Sequence, residues 1–279
     1  MRYRNSRDIL GAAKNITVSQ SGGKWFASIQ TEREVDQPVP KATTAIGIDV
    51  GIARFATMSD GAFVAPLARF KKHEQRLDKY QKRMSRKVKF SSNWKKSKAK
   101  VQKVHSRIAN ARRDFLNRTT TTISQDHAMV AIEDLKVRNM SKSAQGTADA
   151  PGRNVAAKAG LNKAILDQGW FEFRRQLEYK LNWNGGILVA VPAHHTSQTC
   201  PCCGHVAKEN RQTQASFACV LCGYANNADV VGAINVLERG QRLLACGEDG
   251  SGRGRKTPAK PASVKQEPTE VTAREVSHA

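Results

Sequence analysis

The 279-residue chain carries 46 Lys and Arg against 24 Asp and Glu, a formal net charge of +22. Hydrophobic residues make up 39% and stand beside 20 glycines, close to the composition of folded domains, so wholesale disorder is excluded. No run approaches the roughly 18 apolar residues of a membrane helix, and the start MRYRNSRDILGAAKN lacks the apolar block of a secretory signal. A cytoplasmic protein of the cell interior, with no membrane partner and close to the nucleoid, is the expectation. At roughly 100 to 200 residues per domain, the length fits one large domain or two small ones.

In chain order, NITVSQ and KWFASIQTE are two alternating runs around Ser21, Gly22 and Gly23, the pattern of a β-hairpin. TTAIGIDVG is a compact apolar run ending on Asp49 and a glycine. RFATMS, the turn pair Asp60-Gly61 and AFVAPLA follow, so a three-strand meander is expected.

Residues 69 to 118 hold no Pro or Gly and contain 19 Lys and Arg against three acidic residues, so they carry 16 of the 22 net charges. Leu77, Tyr80, Met84 and Val88 share one helical face, and Val101, Val104, Ile108 and Phe115 share another, with KFSSNW between them. A basic helical hairpin is the reading. It can be a solvated antiparallel coiled coil, but a one-sign excess of this size repels itself unless a polyanion covers it. The candidate phosphate-contacting residues are Lys71, Lys72, Arg76, Lys82, Arg83, Arg86, Lys87, Lys95, Lys96, Arg107, Arg112 and Arg113.

AMVAIEDL is another apolar strand ending in carboxylates, and 136–160 has the composition of a mobile loop. Helical spacing returns over 161–182 through Leu166, Trp170, Phe173, Leu177 and Leu181, and stops at Asn184-Gly185-Gly186 before the strand ILVAVP. ADVVGAINVLERG is read as a short helix opened by Asp229 and ended by Gly240. The remainder is rich in Gly, Pro, Lys and Glu and is expected to be disordered.

Five of the six cysteines lie between Cys200 and Cys222, which in a reducing compartment points to metal rather than disulfides. Cys200, Cys203, Cys219 and Cys222 form C-x2-C-x15-C-x2-C, with Gly204 and Gly223 directly after the pairs, the spacing of a four-thiolate zinc ribbon. Such a closed shell has no open position, so the ion would be structural. Cys202 can replace Cys203 in register, at the cost of an unusual C-x-C spacing.

Asp49, Glu133 and Asp229 each sit at an element end. Singly, they read as a turn former, an edge charge and a helix N-cap. Together, if neighbouring strands carry Asp49 and Glu133, they form a cluster that repels by roughly 4 kcal/mol per pair at about 4 Å and an effective dielectric near 20. Cations are needed to offset this, and oxygen-only acidic ligands suit Mg²⁺ or Mn²⁺, which can activate water against a phosphodiester.

GIDVG around Asp49, AIEDL around Glu133, the block TSQTCPCCGHVAKENRQTQASFACVLCGY and NADVVGAIN resemble the RuvC-type nuclease of the TnpB (OrfB) family encoded by insertion sequences. That family is similar to the compact type V CRISPR effectors. The resemblance runs from about Thr43 to Gly240 and includes the basic helices and RRDFLNR at 112–118.

It implies an α/β fold with an RNase H-like (RuvC) mixed sheet, a basic helical-hairpin insertion at 66–125 and an inserted zinc ribbon at 196–226. The nuclease domain would span 41–240, preceded by a remnant of a wedge-like β-barrel at 1–40 and followed by the tail 241–279. It also implies RNA-guided cleavage of DNA, with DNA and guide RNA as partners. Mg²⁺ would lie at Asp49, at Glu133 rather than Asp134, and at Asp229, with zinc at Cys200, Cys203, Cys219 and Cys222.

Two departures stand out. Val231 and Gly232 occupy the Asn and first Ala of the family's D-x-N-A-A, which weakens the helix start and the hold on Asp229. Only about 40 residues precede the first nuclease strand, so an N-terminally truncated member is expected. The alternative is a nucleic-acid-binding remnant that does not cut, or a structural zinc-ribbon protein of a ribonucleoprotein.

Overall fold

The computed structural model describes residues 8–36, 38–67, 69–147, 149–246 and 269–272, without the side chains of 69–72 and 269–272. It divides into two compact units, one of residues 1–37, 69–113 and 255–279, the other of 38–68 and 114–254.

The first unit begins with strands β1 (Ala12–Ser21) and β2 (Lys24–Glu32), paired antiparallel around Gly22 and Gly23. Both glycines have positive φ, which a two-residue hairpin turn demands. After β3 (Ala45–Val50), β4 (Ala56–Met58) and β5 (Phe63–Val64) of the second unit come helices α1 (Arg69–Ser85) and α2 (Ser92–Asp126). Leu77 of α1 is buried with Val101, Val104 and Ile108 of α2, and Tyr80 and Met84 pack beside them. That seam is the apolar stripe read from the sequence. Val88 is not part of it: α1 ends at Ser85, and Val88 is 79% exposed in the turn.

The second unit is built on a five-stranded sheet of order β5-β4-β3-β6-β7, with β6 at Met129–Glu133 and β7 at Ile187–Val191. β3, β6 and β7 run parallel while β4 and β5 turn back antiparallel, so the sheet is mixed. The apolar run before each acidic residue explains the burial: Ile46 and Ile48 on β3 and Val130 and Ile132 on β6 are nearly solvent-free. Leu116 and Ile123 of α2 join this core.

Between β6 and β7 lie α3 (Val137–Met140), α4 (Val155–Gln168) and α5 (Trp170–Trp183). Two expectations change here. The loop expected over 136–160 holds α3 and the first turn of α4, and the helix expected over 161–182 is two helices. Gly169 separates them at φ 73°, a left-handed conformation a continuous helix does not admit. The break rotates the register, so Ile165 rather than Leu166 enters the core, and Leu166 is 57% exposed. α5 docks through Trp170, Phe173, Leu177 and Leu181, and Lys180 Nζ donates to Asn117 O and Thr121 Oγ1 of α2, each at 2.9 Å.

The short pair β8 (Ser216–Ala218) and β9 (Ala225–Asn227) precedes α6 (Ala228–Ala245), which lies on the sheet. Gly240 does not end α6. It sits buried inside the helix, where a Cβ would come 2.7 Å from Ala131 Cβ of β6. On β3, a Cβ at Gly47 would meet the backbone of Ala233 and Leu237. These absent side chains let helix and sheet touch backbone to backbone, so Gly240 is a packing glycine and not a stop.

Of the tail expected to be disordered, 241–245 belongs to α6, and β10 (Thr269–Thr272) pairs antiparallel with β2. Residues 247–268 and 273–279 lie outside the described residues. No described helix is long and apolar enough to cross a membrane.

Candidate functional site

Asp49 and Glu133 owe their proximity to strand register. β3 and β6 pair in parallel with Ile48 opposite Ile132, so the next residue of each strand stands at the same sheet end. Glu133 is 9% exposed.

Asp229 arrives from α6, and its role there differs from the N-cap reading. Asn227 caps the helix: its side-chain oxygen accepts from Asp229 N at 3.1 Å and Val230 N at 3.4 Å. The Asp229 carboxylate is thereby released from capping. It lies 3.6 Å from Arg211 Nη2.

Asp49 feels both of the other carboxylates. Burial, then the charges of Glu133 and Asp229, push Asp49 up from 3.8 to about 8, against the opposing pull of Arg211 and the Val50 N–H. Glu133 is raised by burial, partly countered by a hydrogen bond from Thr196 and by the charges of Arg239 and Arg211. The site gathers three carboxyl groups beside two cations, Arg211 and Arg239, and its donors are all carboxylate oxygens. That donor chemistry fits hard divalent cations. Asp134 points elsewhere and is hydrogen-bonded to Arg174.

Helix α6 is fitted to this centre. A Cβ on Gly232 would stand 2.9 Å from Asp49 Oδ2, so the missing methyl is the space the carboxylate occupies. Val231 is buried against Cys200, Phe217 and Cys219. Apolar packing at the cysteine cluster thus holds the helix start where the D-x-N-A-A pattern would have an amide.

Thr196 Oγ1 donates to Glu133 Oε1 at 2.6 Å. Thr196 is itself held by Asn235 of α6, whose Nδ2 donates to Thr196 O and Thr199 O, both at 2.7 Å. Arg239, one turn on, donates to Pro192 O at 3.0 Å and His194 O at 2.7 Å.

The ligand atoms of Cys200, Cys203, Cys219 and Cys222 all lie within 4.8 Å of one another, so they can hold a metal ion. Each pair sits on the same turn: Gly204 N donates to Cys200 O and Gly223 N to Cys219 O, at 2.9 and 3.0 Å. Buried Asn210 ties the two turns, donating to Gln198 O and His205 O and accepting from Val220 N at 3.0 Å. Burial opposes ionisation of Cys219, but the N–H groups of Cys222 and Leu221 and the thiols of Cys203 and Cys222 draw it down to about 6, while Cys203 is pushed up, against the His205 N–H, by burial and the other three thiols. Cys202 and Cys246 are exposed and stand outside the cluster.

Among the basic candidates, Arg76, Lys82, Arg83, Arg86, Lys87, Lys95, Lys96, Arg107 and Arg113 are exposed in the first unit, and Arg112 is half-buried. Lys82 pairs with Asp78 at 2.8 Å. The side chains of Lys71 and Lys72 lie outside the described residues. Arg211, Thr196, Asn210 and Asn235 went unnoticed in the sequence, where each sits in a polar stretch or on a helix with no distinguishing spacing.

A mixed α/β unit with a carboxylate centre and an adjoining four-cysteine cluster defines the class. Residues 28–144 match the family described as probable transposase, OrfB of IS605, and residues 170–236 match the Cas12f1-like TNB domain. Over the first of these stretches the chain is similar to the TnpB (OrfB) family. It is 56% identical over 272 residues to the putative RNA-guided DNA endonuclease InsQ of Escherichia coli K12, covering 97% of this chain and 65% of that protein. A putative RNA-guided DNA endonuclease of Streptomyces pristinaespiralis is 35% identical over 260 residues, covering 92% of this chain and 60% of the relative. The chain therefore spans somewhat less than two thirds of these relatives. A Cas12f1 structure with guide RNA and target DNA superposes at a TM-score of 0.46 with 16% identity, over 80% of this chain and 55% of that one.

Proposed function

We propose that the chain is an RNA-guided DNA endonuclease whose cutting centre is Asp49, Glu133 and Asp229 on an RNase H-like (RuvC) sheet. The carrying observation is that burial, and then the charges of Glu133 and Asp229, drive Asp49 to about 8, in a chain whose relatives are named DNA endonucleases. Divalent ions bound there, Mg²⁺ or Mn²⁺, would supply an activated water and stabilise the leaving oxygen of a phosphodiester.

The chain's own groups do the rest. Asp49 and Glu133 offer ligand oxygens from adjacent strand ends, and Asp229 offers its own from the opposing helix. The Thr196 hydroxyl fixes the Glu133 carboxylate, and Arg211 holds Asp229 while presenting positive charge to a phosphate. Zinc on the four cysteines would have a structural role, since no ligand position remains open. The exposed cations of the α1–α2 hairpin would grip the phosphate backbone of guide RNA and DNA.

The test is cleavage of double-stranded DNA with Mg²⁺ and RNA transcribed from the chain's own element. Loss of products in Asp49→Ala and Glu133→Ala is the expected result, and full activity in either overturns the catalytic assignment. Absence of cutting by the wild type, with tight and steeply salt-dependent binding, would favour a nucleic-acid-binding protein that does not cut.

A further inference from the structure

Beside Glu133 opens a cavity of about 600 Å³, within the range of about 300–1,000 Å³ usual for ligand clefts. Val50 and Ile132 form its inner wall, Lys136 and Arg138 lie along the stretch after β6, and Trp170 and Phe171 come from the start of α5.

Phe171 is the unexplained member. The buried face of α5 comprises Trp170, Phe173, Gln176, Leu177 and Leu181, and Phe171 falls off it, 75% exposed. Packing gives no reason for a large aromatic ring there. Trp170 is 6% exposed and its indole N–H has no acceptor among the described residues. That nitrogen is itself buried, so Trp170 backs the hollow and offers no donor to it. Lys136 and Arg138 are exposed and form no ion pair among the described residues. An exposed ring and two cations without ion pairs, in a hollow that also carries Glu133 and Glu178, match the way proteins hold single-stranded nucleic acid by stacking and phosphate contacts.

We propose that this cavity seats a single-stranded stretch of the nucleic acid being cut, with one unpaired base stacked on Phe171 and the adjoining phosphates on Lys136 and Arg138. A duplex does not suit it, because stacked bases offer no free face to a ring. The placement next to Glu133 rests on the nuclease reading above; the stack itself does not.

The experiment uses the full chain and single-stranded oligonucleotides carrying one 2-aminopurine, with Ca²⁺ in place of Mg²⁺. Stacking on Phe171 should quench the fluorescence on binding, Phe171→Ala should abolish the quench, and Phe171→Trp should restore it. At the stacking strength usual for one base, Phe171→Ala should weaken single-strand binding by about 5- to 150-fold. Equal quenching in Phe171→Ala, or duplex held there as well as single strand, overturns the proposal.

Cleavage in Mg²⁺ separates the two claims. A rate lost in Glu133→Gln and unchanged in Phe171→Ala removes the stack and leaves the carboxylate centre standing. A rate unchanged in Glu133→Gln removes the carboxylate reading, and the quench still decides the stack. Because Phe171 is exposed, its replacement does not threaten the fold.

Discussion

The cysteine cluster and the carboxylate centre adjoin the same helix and are assembled in opposite ways. Each cysteine pair is made by four consecutive residues on a turn that closes its own hydrogen bonds, so half the ligand set is local. Asp49, Glu133 and Asp229 come from two strands and a helix, and local sequence does nothing to gather them. Cys219 takes N–H groups from Leu221 and Cys222 of its own turn, whereas Asp49 is loaded by burial and then by the charges of Glu133 and Asp229. The lesson concerns where stability is spent: one site is set up by its turns, and the other is held under electrostatic load by the sheet and α6.

The sharpest way to break the comparison is to remove a thiol. Cys219→Ser should abolish stoichiometric metal binding and open the segment 196–226 to proteolysis, since structural thiolate sites hold zinc by about 10–16 kcal/mol in small domains. Metal analysis and limited proteolysis read it out. Asp49→Asn should do the reverse: cleavage falls by about 10³-fold or more. The thermal midpoint at pH 8 rises, because a carboxylate that is buried and repelled by its neighbours is gone.

Gly232→Ala tests the fit between α6 and Asp49. Alanine favours helix by about 1 kcal/mol over glycine, while its methyl would displace the Asp49 carboxylate. Stability should stay level or rise as cleavage drops by about 10²-fold, the effect of a displacement near 1 Å. Lower stability with unchanged cleavage would mean that the helix moves and the carboxylate does not.

The smallest effect is on pH. Asp49 keeps its proton up to about pH 8 in the folded protein and loses it near 3.8 when unfolded. Between these values the native state binds more protons, so the metal-free protein should lose stability as pH rises from about 4 to 8. Added Mg²⁺ should stabilise most at the upper end. A melting temperature independent of pH in that window would mean that Asp49 is not under this load.

Much of this was legible from spacing. The cysteine turns, the seam of α1 and α2 and the strands ending on Asp49 and Glu133 follow from short-range patterns of about two to four residues. The break at Gly169 and the burial of Gly240 were not: the helical spacing over 161–182 runs on through Gly169, which breaks it, whereas Gly240 reads as a stop and instead admits a strand. Nor were Thr196 and Asn235. Thr196 meets Glu133 across 63 positions, and Asn235 meets Thr196 across 39, so only the folded chain tells why those residue types stand there.

Asn235 carries the further consequence. One buried amide spans two carbonyls of the stretch that leads into Cys200, and the first of those residues grips Glu133. The sulfur site and the oxygen site therefore share a common pivot. Stripping metal from the cysteines should slacken that stretch and let the Glu133 carboxylate swing, so a chelator too weak to reach one ion would still disarm the other.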